Sequence, residues 1–293
     1  MKCIFHGDTD GRCAGAIVAY FTNNYNKEDY YEANYNDPLP IDSYEDKETV
    51  YLVDFSFTED TKHYLDTLIK KECKIIHIDH HTSTMELYEN HPEYAKLEGI
   101  RSPEHSGAAL TWMYFTDTKD IKDCPLFVQY VSDFDCWHWK MKETENFKFG
   151  METVSNYGPL SMIWTKFIKE HYNKYTETIE DIIKKGKIAK KYSANINKEY
   201  CKNFAYVTEV EGNKCIVLNK KDGGSLVFGD LIKEYPMSMV WAFDGEYYQY
   251  SIYSQDPNIF CNKIAEKYGG GGHKGAAGFR LEDMPFKKFN KST

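Results

Sequence analysis

Apolar residues in the first half of this chain fall into short runs, and each run ends abruptly in polar residues. Lys2-Cys3-Ile4-Phe5 leads into His6-Gly7-Asp8-Thr9-Asp10-Gly11, Thr49-Val50-Tyr51-Leu52-Val53 ends at Asp54, and Lys74-Ile75-Ile76-His77-Ile78 ends at Asp79-His80-His81. Short β-branched runs separated by helical patterns predict the buried strands of a parallel α/β sheet. The small and apolar stretch Ala14–Phe21 reads as the first turns of a helix packed on that sheet. Between Thr61 and Lys71, Tyr64, Leu65, Leu68 and Ile69 recur at helical spacing. Ligands of open α/β sheets bind beyond the carboxyl ends of the strands, so the three polar clusters are expected to form one site.

Further along, Ala108–Phe115 reads as a helix, and the apolar run Leu126–Val131 leads into Ser132-Asp133-Phe134-Asp135. From about Ser161 to Tyr200 the pattern is helical and rich in Lys and Glu. Strand-like segments resume at Phe204–Val210, Lys214–Leu218, Met237–Phe243 and Tyr247–Tyr253. A helix over Asn258–Lys267 then precedes Gly269-Gly270-Gly271-Gly272-His273, and the small residues after His273 suggest a tight helix start. The expected organisation is a parallel-sheet domain over 1–155, a helical connector over 156–202 and a smaller α/β domain over 203–293.

Composition narrows the function classes. Of 293 residues, 42% are hydrophobic and 28% charged, as in soluble globular proteins. No apolar run approaches the roughly 18 residues a membrane span requires, and the N-terminus turns polar at His6, too early for a signal peptide. The eight cysteines contain no C-x-x-C pair, which fits reduced thiols and a cytoplasmic location. The net charge of −9 argues against long duplex nucleic acid, whose binding requires a continuous basic surface. A short phosphate-bearing substrate remains compatible, because bound divalent metal would neutralise the aspartates.

The chemistry lies in the strand-end clusters. His6, Asp8 and Asp10 stand at alternate positions of one loop, where they can converge on a cation; helix capping by aspartate is the competing reading. Asp54 follows a buried strand, where an unpaired carboxylate is costly. Three ionisable groups in succession at Asp79-His80-His81 are hard to explain as packing. Asp133 and Asp135 add further carboxylates, and either can serve. A donor set of carboxylate and imidazole suits Mn²⁺, with Mg²⁺ or Co²⁺ as substitutes. Paired ions would activate water for in-line displacement at phosphorus, with Asp54 as the candidate bridge. The four glycines let backbone amides approach an anion, which reads as a phosphate or carboxylate clamp.

Taken together, His6-Gly7-Asp8-Thr9-Asp10-Gly11, Asp54, Asp79-His80-His81, Ser132-Asp133 and Gly269-Gly270-Gly271-Gly272-His273 resemble the DHH phosphoesterase superfamily with its C-terminal DHHA1 domain, and they occur in that family's order. The resemblance implies two Mn²⁺ ions. His6 and Asp8 would hold the first, Asp10, His80 and Asp133 the second, with Asp54 between them. His81 would face the substrate phosphate or leaving group, Asp79 would orient the histidines, and Gly270, Gly271, Gly272 and His273 would grip the far end of the substrate across a cleft. The short H-x-D spacing resembles the nanoRNase branch. A basic residue common before the glycines is replaced by Ser251-Ile252-Tyr253-Ser254.

The function implied is Mn²⁺-dependent hydrolysis of short single-stranded oligonucleotides to mononucleotides, by a cytoplasmic protein able to act as a homodimer. Alternatives are a 3′-phosphoadenosine 5′-phosphate phosphatase, a cyclic-dinucleotide phosphodiesterase, and a non-catalytic nucleotide-binding or metal-binding protein.

Overall fold

The computed structural model describes residues 1–34, 37–220, 223–272 and 274–286. The chain divides into two compact units, Met1–Ala189 and Lys190–Thr293.

The first unit begins with strand β1 (Lys2–His6) and helix α1 (Thr9–Thr22), followed by β2 (Tyr30–Ala33), β3 (Thr49–Val53), α2 (His63–Lys70), β4 (Lys74–Ile78) and α3 (Thr82–Asn90). Helices α4 (Gly107–Thr116), α5 (Leu126–Asp135), α6 (Thr144–Met151), α7 (Met162–Asn173) and the first part of α8 (Glu177–Phe204) complete it. The four strands form a fully parallel sheet in the order β2-β1-β3-β4. Alternation along each strand loads both faces. Cys3, Phe5, Val53, Ile76 and Ile78 pack under α1, α4, α5 and α7. Ile4, Val50, Leu52 and Ile75 pack against Leu65 and Leu68 of α2 and Leu87 of α3. Each fully buried Ile, Leu or Phe contributes roughly 1.5–3 kcal/mol.

Helix α1 starts where the sequence supplies a cap: Asp8 accepts a hydrogen bond from the Gly11 amide at 2.9 Å. It lies so close to β1 that a Cβ on Gly11 would sit 2.2 Å from the His6 carbonyl oxygen, so only glycine fits. Ala14, Ala16 and Ala19 keep the buried face of α1 thin enough to lie against the sheet.

In the second unit, the last part of α8 is followed by β5 (Tyr206–Val210), β6 (Asn213–Asn219), β7 (Met237–Phe243), β8 (Tyr248–Tyr253), α9 (Cys261–Lys267), β9 (Gly271–Gly272) and β10 (Ala276–Leu281). The mixed sheet runs β5-β6-β7-β8-β10-β9, with β6 and β7 parallel and the other pairs antiparallel. Helix α9 covers one face through Cys261, Ile264 and Ala265. Cys201 of α8, with Val227 and Phe228, covers the other. The tight helix start expected after the glycine run is not formed: Ala276-Ala277-Gly278 enter β10, hydrogen-bonded between β8 and β9. Their small side chains suit close strand packing as well as a helix start, and the antiparallel partner decides between them.

Candidate metal centre

Register brings the predicted clusters together. Phe5 pairs with Val53, and Val53 pairs with Ile78. The chain leaves the three strands at one level, so His6, Asp54 and Asp79 emerge side by side. The ligand atoms of His6, Asp8 and Asp54 lie within 4.8 Å of one another, as do those of Asp54, His80 and His81. A third group unites His80, Asp135 and Cys136 within the same limit. Asp54 belongs to two of these groups and His80 to two, which makes them the joints of the cluster.

Asp54 is unusual in three respects. Its backbone is left-handed, with φ 52°, a conformation that L residues other than Gly, Asn and Asp seldom adopt. Its amide is held by the Ile78 carbonyl at 2.9 Å, and the start of α4 crowds it, since a Cβ on Gly107 would fall 2.5 Å from Asp54 Cβ. Among the described residues, both carboxylate oxygens are buried and His80 alone approaches them as a donor. His80 Nε2 approaches Oδ1 to 3.2 Å and also lies 3.3 Å from Asp135 Oδ2.

The electrostatics of the cluster follow from crowding acids out of water. Burial, reinforced by the charges of Asp10 and Asp8, pushes Asp54 well above the usual carboxylate range. Burial and Asp10 do the same to Asp135. Burial alone would lower His80, but Asp54, the Cys136 thiol and Asp135 together drive it well up. Carboxylates crowded and buried in this way favour a positive partner, and the mix of carboxylate and imidazole donors fits a divalent ion.

The remaining predicted residues separate into distinct settings. Asp10 is fully buried, its carboxylate accepting the Gly107 and Ala108 amides at 2.6 and 3.0 Å at the N-terminus of α4. Asp133 lies outside the cluster. Its Oδ1 accepts the Lys140 amide at 2.8 Å, and its Oδ2 accepts the Met141 amide at 3.0 Å and the Thr144 hydroxyl at 2.5 Å. Two residues on, Asp135 faces the other side of α5 and meets His80, because a step of two on a helix turns the side chain about 200°. Asp79 joins His81 Nδ1 at 2.7 Å and accepts the Thr84 hydroxyl at 2.5 Å. Burial opposes ionisation of Asp79, but the charge and hydrogen bond of His81 prevail and hold it low.

The glycine run has a packing role of its own. A Cβ on Gly270 would meet the Gly278 carbonyl oxygen at 2.1 Å, and one on Gly272 would meet Ala277 Cα at 2.6 Å. Gly271 is exposed with open space around it; His273 lies outside the described residues. Tyr253, the aromatic before the run, is half-buried beside Val227 and Phe228. Sequence reasoning overlooked Cys136, although its place directly after Asp135 was a usable signal.

No protein-family model matches the chain. Its sequence is similar to the uncharacterized protein R106 of Acanthamoeba polyphaga mimivirus, 26% identical over 254 residues and covering 82% of this chain and 55% of that protein. The chain thus spans about half the length of that curated relative. The DHH domain of a protein assigned to a family of ribosomal proteins superposes with a TM-score of 0.55, at 13% identity, over 96% of this chain and 82% of that one. A pGpG-specific phosphodiesterase, PggH from Vibrio cholerae, superposes with a TM-score of 0.50, at 14% identity, over 96% and 93%. The parallel sheet, the helical stretch and the second sheet of this chain together make the fold of the DHH proteins.

Proposed function

We propose that this chain is a metal-dependent phosphoesterase that hydrolyses short single-stranded oligonucleotides with two divalent ions, Mn²⁺ by preference. The observation carrying this reading is Asp54: a fully buried carboxylate that, among the described residues, meets only His80 and is shared by two donor groups. His6 and Asp8 would hold one ion and His80 and Asp135 the other, with Asp54 between them. Asp135 takes the role first given to Asp133, whose oxygens already serve the loop after α5. A carboxylate offers about four lone-pair sites, so the two amides on Asp10 leave it able to join the second ion.

Bound ions supply Lewis acidity, lowering the pKa of water and neutralising charge at phosphorus. The chain's own residues supply the rest. Asp79, held by Thr84, fixes His81 through Nδ1 and so orients the ring to meet the phosphate or carry a proton to the leaving oxygen. Helix α4 points its N-terminus at Asp10, adding positive potential beneath the cluster. Gly270, Gly271 and Gly272, with His273, are proposed to contact the far end of the substrate. A fold relative named for pGpG supports a short nucleotide ester. The eight free cysteines support action in the cytosol, and among the described residues no helix is long and apolar enough to cross a membrane.

The test is a Mn²⁺-supplemented assay of the whole chain and its Asp54→Asn variant on four substrates: a dinucleotide, a 20-mer, a cyclic dinucleotide and 3′-phosphoadenosine 5′-phosphate. The dinucleotide should be turned over fastest, and the variant should lose at least about 10²-fold, the scale of losing a central electrostatic contributor. Preference for the 20-mer or the cyclic compound would reject the short-oligonucleotide assignment. Undiminished turnover by the variant would reject the bridging role.

A further inference from the structure

We propose that Trp137 and Trp139, in the loop directly after Asp135, form a stacking platform for a nucleobase of the substrate. The inference rests on the phosphodiester reading above and adds to it a specificity site in the first unit. The loop is continuous with the cluster: Asp135 lies 3.3 Å from His80, Cys136 groups with both, and Trp137 follows at once.

Three features separate this loop from ordinary packing. Trp137 is 44% exposed, although an indole recruited for the core would be covered. Both tryptophans are left-handed, with φ 56° and 52°, and for bulky residues that is a genuine outlier that persists only where the surroundings impose it. The surroundings do impose it here. The Asp133 carbonyl accepts the His138 and Trp139 amides at 2.8 and 3.2 Å, while its carboxylate holds Lys140, Met141 and Thr144. The rings are then arranged in series. Trp137 meets Trp139 edge to face at 5.1 Å, and Trp139 is backed by Phe134 at 6.1 Å. Asp133 therefore pins the loop on one side, the Phe134 carbonyl accepts the Trp137 amide at 3.0 Å, and the Trp137 indole, next in the chain to Cys136 of the cluster, stays exposed. Folding gains nothing from that exposure, whereas a planar base would cover it. Every base has a π-face, so such stacking tolerates sequence.

The test uses the full chain with Mn²⁺, as wild type, Trp137→Ala and Trp137→Phe, on a dinucleotide and on its analogue with both bases replaced by hydrogen. Trp137→Ala should raise KM for the dinucleotide about ten-fold with kcat little changed, and Trp137→Phe should restore most of the loss. KM for the abasic analogue should not respond to either substitution. An equal effect of Trp137→Ala on both compounds, or none on either, overturns the platform. Should wild type hydrolyse neither compound, the phosphodiester reading fails on its own. Calorimetric binding of the dinucleotide then decides: weaker binding by Trp137→Ala keeps the platform, while equal binding or none rejects it.

Discussion

A carboxylate inside a protein must be matched either by hydrogen-bond donors or by a cation, and the end of α5 holds one of each kind. Asp133 is matched by two amides and a hydroxyl, so Asp133→Asn presents an amide where donors converge and should cost about 1–3 kcal/mol of stability. Burial, reinforced by the charge of Asp10, pushes the carboxyl of Asp135 up, so Asp135→Asn should leave stability in chelator unchanged or raised, while weakening metal binding. Urea unfolding in chelator, with Mn²⁺ titration alongside, separates the two; equal destabilisation by both would contradict the division. His77 gives a prediction in pH. It is fully buried on β4, between the Tyr88 hydroxyl at 2.8 Å and the Phe55 carbonyl at 3.0 Å. Burial depresses it from 6.5 to about 4. Between those values the unfolded chain binds the extra proton, so stability falls as pH falls through that window. The loss should total about 3 kcal/mol. His77→Gln, which keeps a donor for Phe55, should flatten that slope; an unchanged slope from pH 7 to pH 4 would assign it to other groups.

Elements that end in chemistry were the most legible in the sequence. β1, β3 and β4 could be read because each is a short apolar run that stops at a polar cluster, and parallel pairing then had to gather those clusters at one end. β2 escaped because Tyr30-Tyr31-Glu32-Ala33 buries only Ala33 fully and sits at the sheet edge. The choice between Asp133 and Asp135 stayed open because a linear spacing of two does not reveal which face of a helix meets the site. The register of α5 against the cluster, which only tertiary packing supplies, settles which of them faces His80. The same limit applies after the glycine run, where small residues are compatible with a helix start or a tightly packed strand. Gly270 illustrates the physical reason, since its lack of a Cβ is demanded by the Gly278 carbonyl on a neighbouring strand. The strained loop at Trp137 and Trp139 left no trace in hydropathy, because its meaning lies in backbone angles.

At the scale of the whole molecule, the cluster makes stability depend on metal in a way that one substitution can reverse. In chelator, wild type must keep Asp54 buried beside Asp8 and Asp10, a cost visible in how far its carboxyl is pushed up. Asp54→Asn removes the ionisable carboxyl and retains a residue type that accepts the left-handed backbone. Without metal, the variant should therefore be the more stable protein, by on the order of 1 kcal/mol or more. With Mn²⁺ the ranking should invert. An ion bound only by the folded chain stabilises it by about 2.7 kcal/mol at a hundred times its Kd, and Asp54→Asn should forfeit most of that by losing a residue shared by two of the three donor groups. Thermal unfolding of both proteins, in chelator and in Mn²⁺, gives the four midpoints needed. Crossing of the two orders would identify the buried carboxylate as a charge kept for a cation. A variant less stable than wild type under both conditions would make Asp54 an ordinary structural residue, and the two-ion reading would fall with it.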